Sequence, residues 1–186
     1  SIDFSEVVML PYSQQIFEKL SKGSFISSNS VQEDMRIYYT SLQKNFLAYQ
    51  EYYDGVGFHL ESGDGYYYFS RKENKQITAN KLNGLCKWID RIAFLQAYDP
   101  SFAPGFTFRK SDILQSFPTN LQLKEYGNKL YLDRMTHEKI VDSLVMELLS
   151  MGFIELENET EGRFKVTMAY NYIEILMDRI QPVNGE

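Results

Sequence analysis

Two stretches of this chain read alike, "GFHLESGDGYYYF" over residues 57–69 and "GFIELENETEGRFKV" over 152–166. Each opens with Gly-Phe at the foot of a long helical pattern, runs out with alternating apolar residues, turns at a glycine and returns through an aromatic. A chain carrying both is constrained to a degenerate repeat whose unit is helices followed by a two-stranded wing. In the first wing, Gly63-Asp64-Gly65 offers two hairpin turns that differ by two residues,. Both put Phe58, Leu60, Tyr67 and Phe69 on one face, and Tyr66 and Tyr68 on the other with His59 and Glu61,. The first set reads as the buried side. Tyr66 and Tyr68 read as a solvated cross-strand pair, a partner-binding face or a stacking platform for nucleic acid, and spacing does not choose among them.

The segments around the wings are helical in period. "LPYSQQIFEKLSKG" reads as a helix that Pro11 starts and Gly23 stops, with Ile16, Phe17 and Leu20 inward,. From Val31 to Asp54, the residues Met35, Tyr38, Leu42, Phe46, Tyr49 and Tyr53 recur at spacings of three and four, predicting one long helix,. A further helix is expected from about Thr78 to Tyr98, closed by the joint-like "DPSFAPG",. Then come a short strand in "FTFRK", a helix capped by Ser111 and closed by Pro118, and a longer helix capped by Thr136 and stopped by Gly152,. A last helix, "YNYIEILMDRI", follows the second wing. Strand, helix, turn, helix, hairpin is the winged-helix order, and the chain spells it between Phe106 and Met168. The first half fits more loosely, with no obvious leading strand. The expected fold is α+β, mainly helical, a tandem of winged-helix domains with two-stranded wings. The expected domains are 1–99, ending in a long linking helix, and 100–186.

Charge limits what such a fold can bind. The net charge is −6, which disfavours nucleic-acid binding by the whole surface,. A winged helix reads bases with Arg, Lys, Asn or Gln on its second helix. The candidate helix instead offers Glu138, Lys139, Asp142, Ser143 and Glu147, and its wing carries Glu155, Glu157, Glu159 and Glu161 against Arg163 and Lys165. That wing reads as a solvated turn or a docking surface, and sequence-specific readout by this half is disfavoured. The exception is a basic run of Arg71, Lys72, Lys75, Lys81, Lys87, Arg91, Arg109 and Lys110, interrupted by Glu73, Asp90 and Asp99. It is a solvated basic face or, if the fold gathers it, a phosphate-binding band whose grip would be weak, salt-sensitive and indifferent to sequence.

No catalytic constellation is present in the sequence. There is no Gly-rich phosphate loop, and His59 and His137 lie far apart,. Cys86 reads as a small buried side chain, and His59 beside Glu61 lacks a third ligand, so no metal and no cofactor are expected,. The chain opens without a charged-then-apolar leader and holds no membrane-length apolar run, which points to a cytoplasmic setting and no membrane partner,. An aromatic share of 15%, with 14 tyrosines, suits interfaces,.

The order "SFISSN", a long helix ending "YQEYYDGVGFHL", a Gly-Asp-Gly hairpin with "GYYYFSRK" and a second winged helix resembles the MukE and MksE accessory subunits of bacterial condensins. The resemblance covers most of the chain and rests on architecture and the wing pattern. It implies a non-enzymatic, nucleoid-associated subunit that forms a homodimer through winged-helix surfaces. It also implies binding to a MukF- or MksF-like kleisin and, through it, to an SMC-type ATPase that organises chromosomes or restricts plasmids. A winged-helix transcriptional regulator is the alternative.

Overall fold

The computed structural model of the protein describes residues 10–70, 79–132 and 134–180. The chain divides into two compact units, Ser1–Glu73 and Asn74–Glu186. In the first, α1 (Ser13–Leu20), β1 (Ile26–Ser27), α2 (Glu33–Lys44), α3 (Phe46–Asp54), β2 (His59–Ser62) and β3 (Tyr66–Ser70) follow in that order. The strands form an antiparallel sheet, β1-β3-β2. In the second, α4 (Ala79–Tyr98), β4 (Thr107–Arg109), α5 (Lys110–Ser116), α6 (Leu121–Lys129), α7 (His137–Met151), β5 (Ile154–Asn158), β6 (Arg163–Val166) and α8 (Tyr170–Ile180) do the same, with the sheet ordered β4-β6-β5. Each unit thus carries a helix, a leading strand, helices and a hairpin, with the last strand always central. This is the mainly helical α+β, tandem winged-helix fold that the repeated wings predict.

The first core forms where the helical stripes meet the hairpin. Ile16 and Leu20 of α1, Leu42 of α2, Tyr49 and Tyr53 of α3, Leu60 and Tyr67 are buried together, with Phe58 and Phe69 packed at the margin. The pairing Leu60↔Phe69 and Glu61↔Tyr68 keeps the expected apolar face together. The single helix predicted over 31–54 is two helices, broken at Asn45, whose backbone sits at φ −129° and ψ 39°. Asparagine is a poor helix former, and the break lets α3 anchor to α1. Tyr53 OH donates to Ser13 O at 2.8 Å, while Tyr49 OH donates to Pro11 O and accepts from Ser41 Oγ at 2.7 Å. The leading strand missing from the reading is β1, two residues paired as Ile26↔Tyr67 and Ser27↔Tyr66.

In the second unit α4 packs on α6 and α8. The helix that ended the expected first domain therefore belongs with the second, and the division falls at 73/74 rather than 99/100. Trp88, Phe94 and Leu95 of α4 are buried with Phe102, Phe108, Phe117, Leu144, Leu148 and Phe153. Thr136 caps α7, its Oγ1 accepting from Lys139 N at 3.2 Å, and Gly152 ends it at φ +78°, as expected. The short helix α5 starts at Lys110 without help from Ser111; the Asp112 carboxylate accepts from Arg109 N at 2.9 Å instead. Helix α6 has no counterpart in the sequence reading. Gly127 within it lets the helix close on Phe117 and Phe94, where a Cβ would stand 3.2 and 3.4 Å from their rings,.

Candidate functional site

In a winged helix the helix before the hairpin is the one presented to DNA. Here those helices are α3 and α7. Helix α3, "FLAYQEYYD", contains no Lys or Arg, and its exposed positions are Leu47, Glu51, Tyr52 and Asp54. Helix α7 turns Glu138, Lys139, Asp142, Met146 and Ser150 outward, so Lys139 is the one cation on that face. Glu147, expected among them, points the other way.

Glu147 instead binds the predicted phosphate-contacting residue Arg91, which is only 6% exposed. Arg91 Nε and Nη2 donate to its two carboxylate oxygens at 2.9 and 3.1 Å, Tyr131 OH donates at 2.5 Å, and Lys87 Nζ lies 3.4 Å away. The guanidinium also sits over the Tyr131 ring, 5.0 Å from its centroid,. Burial alone would raise the Glu147 carboxyl. Hydrogen bonds from Arg91 and Tyr131, with the charges of Arg91 and Lys87, outweigh it and hold the carboxyl below its ordinary value,.

The other described cations of the basic run are also engaged. Arg109 pairs with Glu161 at 3.5 Å and Lys110 with Asp142 at 3.1 Å. Asp142 and Glu147 are five residues apart on α7, about 140° around the helix. Lys110 and the Lys87–Arg91 pair therefore flank different sides of α7 rather than lining one band. Burial thus withdraws Arg91 from the surface, and Lys110 does not share a side of α7 with Lys87. Arg71, Lys72 and Lys75 lie outside the described residues, as does the side chain of Lys81.

Of the tyrosines read as a possible partner face, Tyr66 is 4% exposed. Strand β1 brings Phe25 beside it, with ring centroids 5.9 Å apart, and the Tyr66 ring lies over Gly63, where a Cβ would come within 2.0 Å. Tyr68 is half-buried, 5.7 Å from Phe25 and 6.0 Å from Tyr66. The outer face of the first wing is thus a three-ring cluster with Tyr66 as its floor, and not a solvated pair. Spacing could not reveal this, because Phe25 lies 41 residues before Tyr66.

His59 lies between Asp54, 3.1 Å from Nδ1, and Glu61, 3.6 Å from Nε2. Among the described residues no group of three or more His, Cys, Asp or Glu side chains could hold a metal ion. Among them too, no helix is long and apolar enough to cross a membrane.

No curated protein matches the chain. The family model described as condensin complex protein MksE matches residues 11–177, nearly the whole chain. With two winged-helix units and no cationic reading face, the chain belongs to the MksE family, whose members are non-catalytic subunits of condensin complexes.

Proposed function

We propose that the protein is an assembly subunit of an SMC-type condensin. In this reading two copies associate through winged-helix surfaces, bind a kleisin-type subunit and help the attached ATPase hold DNA in a cytoplasmic, nucleoid-associated complex. One observation carries the reading. Both helices in the DNA-reading position are poor in the side chains that read bases, since α3 has no cation and its one glutamine, Gln50, donates to Leu60 O at 3.0 Å, while the outward face of α7 offers Lys139 alone,. Tyr68, at the rim of the three-ring cluster, is a candidate partner contact with Tyr66 behind it. Direct DNA contact is a minor role. It falls to Arg71, Lys72, Lys75 and Lys81, with Lys87, Arg109 and Lys110 joining only as far as their carboxylates release them.

Fluorescence anisotropy on two unrelated duplexes tests this. Equal, weak affinities are expected, with a log–log salt slope no steeper than about −4 for some four phosphate contacts. A preference of about tenfold or more for one duplex would overturn the reading in favour of a sequence-specific regulator.

A further inference from the structure

The entry to α1 holds a strained residue beside a cleft. Tyr12 sits at φ +64°, the one residue other than glycine in the left-handed region among the described residues, a conformation that bulky side chains avoid,. It is pinned from both sides, since Tyr49 OH donates to Pro11 O and Ile16 N donates to Tyr12 O at 2.8 Å. The Tyr12 ring, 43% exposed, stands 5.4 Å from the Tyr38 ring and lines a cleft of about 500 Å³ that α2 walls on its other side.

The α2 wall is one row at helical spacing: Glu33, Arg36, Ile37, Thr40 and Lys44,. Arg36 donates one N–H to Ser30 O at 2.8 Å, and neither Arg36 nor Lys44 has a carboxylate partner among the described residues. Glu33, the one acid of the row, stands in the first turn of α2, where the helix dipole favours it,. Two unpaired cations beside the apolar surface of Ile37 and Tyr12 suit a short segment that alternates carboxylates with apolar side chains.

The chain carries such a segment. Residues 1–9, "SIDFSEVVM", set Asp3 and Glu6 among Ile2, Phe4, Val7 and Val8 and contain no cationic side chain. They lead into Leu10, which packs on the first core, and then into Pro11 and Tyr12 at the cleft. Nine extended residues reach about 30 Å, and the row from Glu33 to Lys44 is about 16 Å long, so the segment can span it. It also precedes residues 11–177, the stretch matched by the MksE family model, and the match leaves it unassigned.

We infer that residues 1–9 dock in the Tyr12–α2 cleft of their own chain, with Asp3 and Glu6 toward Arg36 and Lys44 and Phe4 against Ile37 and Tyr12. Tethering favours the chain's own segment over a second copy's, because it supplies an effective concentration on the order of millimolar. The inference does not depend on the assembly reading.

Photo-crosslinking in the full chain tests it, with Phe4 replaced by p-benzoylphenylalanine and the adducts mapped by mass spectrometry. The expected adducts lie on Tyr12 and on residues 36–44 of the same chain and run at the monomer mass on a denaturing gel. Arg36→Glu with Lys44→Glu should cut their yield by about fivefold or more, because both contacts turn repulsive, and adding Asp3→Lys with Glu6→Lys should restore it. Arg36 and Lys44 are exposed, so thermal melts of the reversed pair should match the parent. Adducts scattered away from the cleft, or a yield that ignores the reversal, would overturn the inference. Loss without restoration would overturn the charge pairing. Adducts at the cleft that form only between two chains would overturn the choice of occupant and give the cleft to a second copy's segment.

Discussion

Arg91 is a cation held in the interior of the second unit, and its partner Glu147 satisfies it with both carboxylate oxygens. Removing either member leaves a poorly solvated charge, so Arg91→Ala should cost about 3 kcal/mol, the lower end for a buried pair because Glu147 keeps some contact with water. The pH dependence follows from the depressed carboxyl. Its folded value lies below a glutamate's ordinary one, so the unfolded state takes up the proton first as pH falls,. The stabilisation is complete above that value and is lost as pH falls through the folded one. Denaturant unfolding should therefore show wild type ahead of Glu147→Gln by a constant margin above about pH 5.5, narrowing below about pH 4.5. A margin unchanged down to pH 3 would contradict the pair. None of this is legible from the local sequence. Arg91 stands four residues after Lys87 in a basic run and reads as a surface cation, while the acid that claims it is 56 residues away.

The first wing shows what pattern can and cannot foresee at the scale of an element. Alternation places Leu60 and Tyr67 inward whichever turn is used, and they are in the core. Tyr66 belongs to the opposite face, where alternation alone predicts exposure. It is covered because β1 pairs beside it and delivers Phe25. A two-residue strand in "SFISSNS" shows no alternation, so neither the strand nor its effect on Tyr66 has a sequence signature. Helix α6 escapes for a related reason, since Gly127 argues against a helix locally and is retained for its approach to Phe117 and Phe94,. The consequence is measurable: Tyr66→Ala should destabilise by about 2 to 3 kcal/mol, as a large buried truncation, and half-buried Tyr68→Ala by under about 1 kcal/mol. Equal losses in chemical denaturation would mean that Tyr66 is not the floor of the ring cluster.

At the scale of the molecule, two units share one sheet order and the succession of helix, strand, helices and hairpin, to which the second adds one more helix before the hairpin and α8 after it, and the tandem was legible because the wings repeat in sequence. The placement of α4 was not, since a long amphipathic helix between two domains can pack with either. Its burial of Trp88, Phe94 and Leu95 in the second unit decides it. Family membership fits a molecule whose fold is a DNA-reading one and whose reading faces are acidic or apolar. In the proposed function this fold is turned from reading DNA to building an assembly. Light scattering after size exclusion, on the chain alone and then mixed with the kleisin-type subunit of its complex, tests that claim most directly. The expected result is a species of twice the chain mass that shifts wholly into a larger, stable complex with the kleisin. A monomer that ignores the kleisin would contradict it.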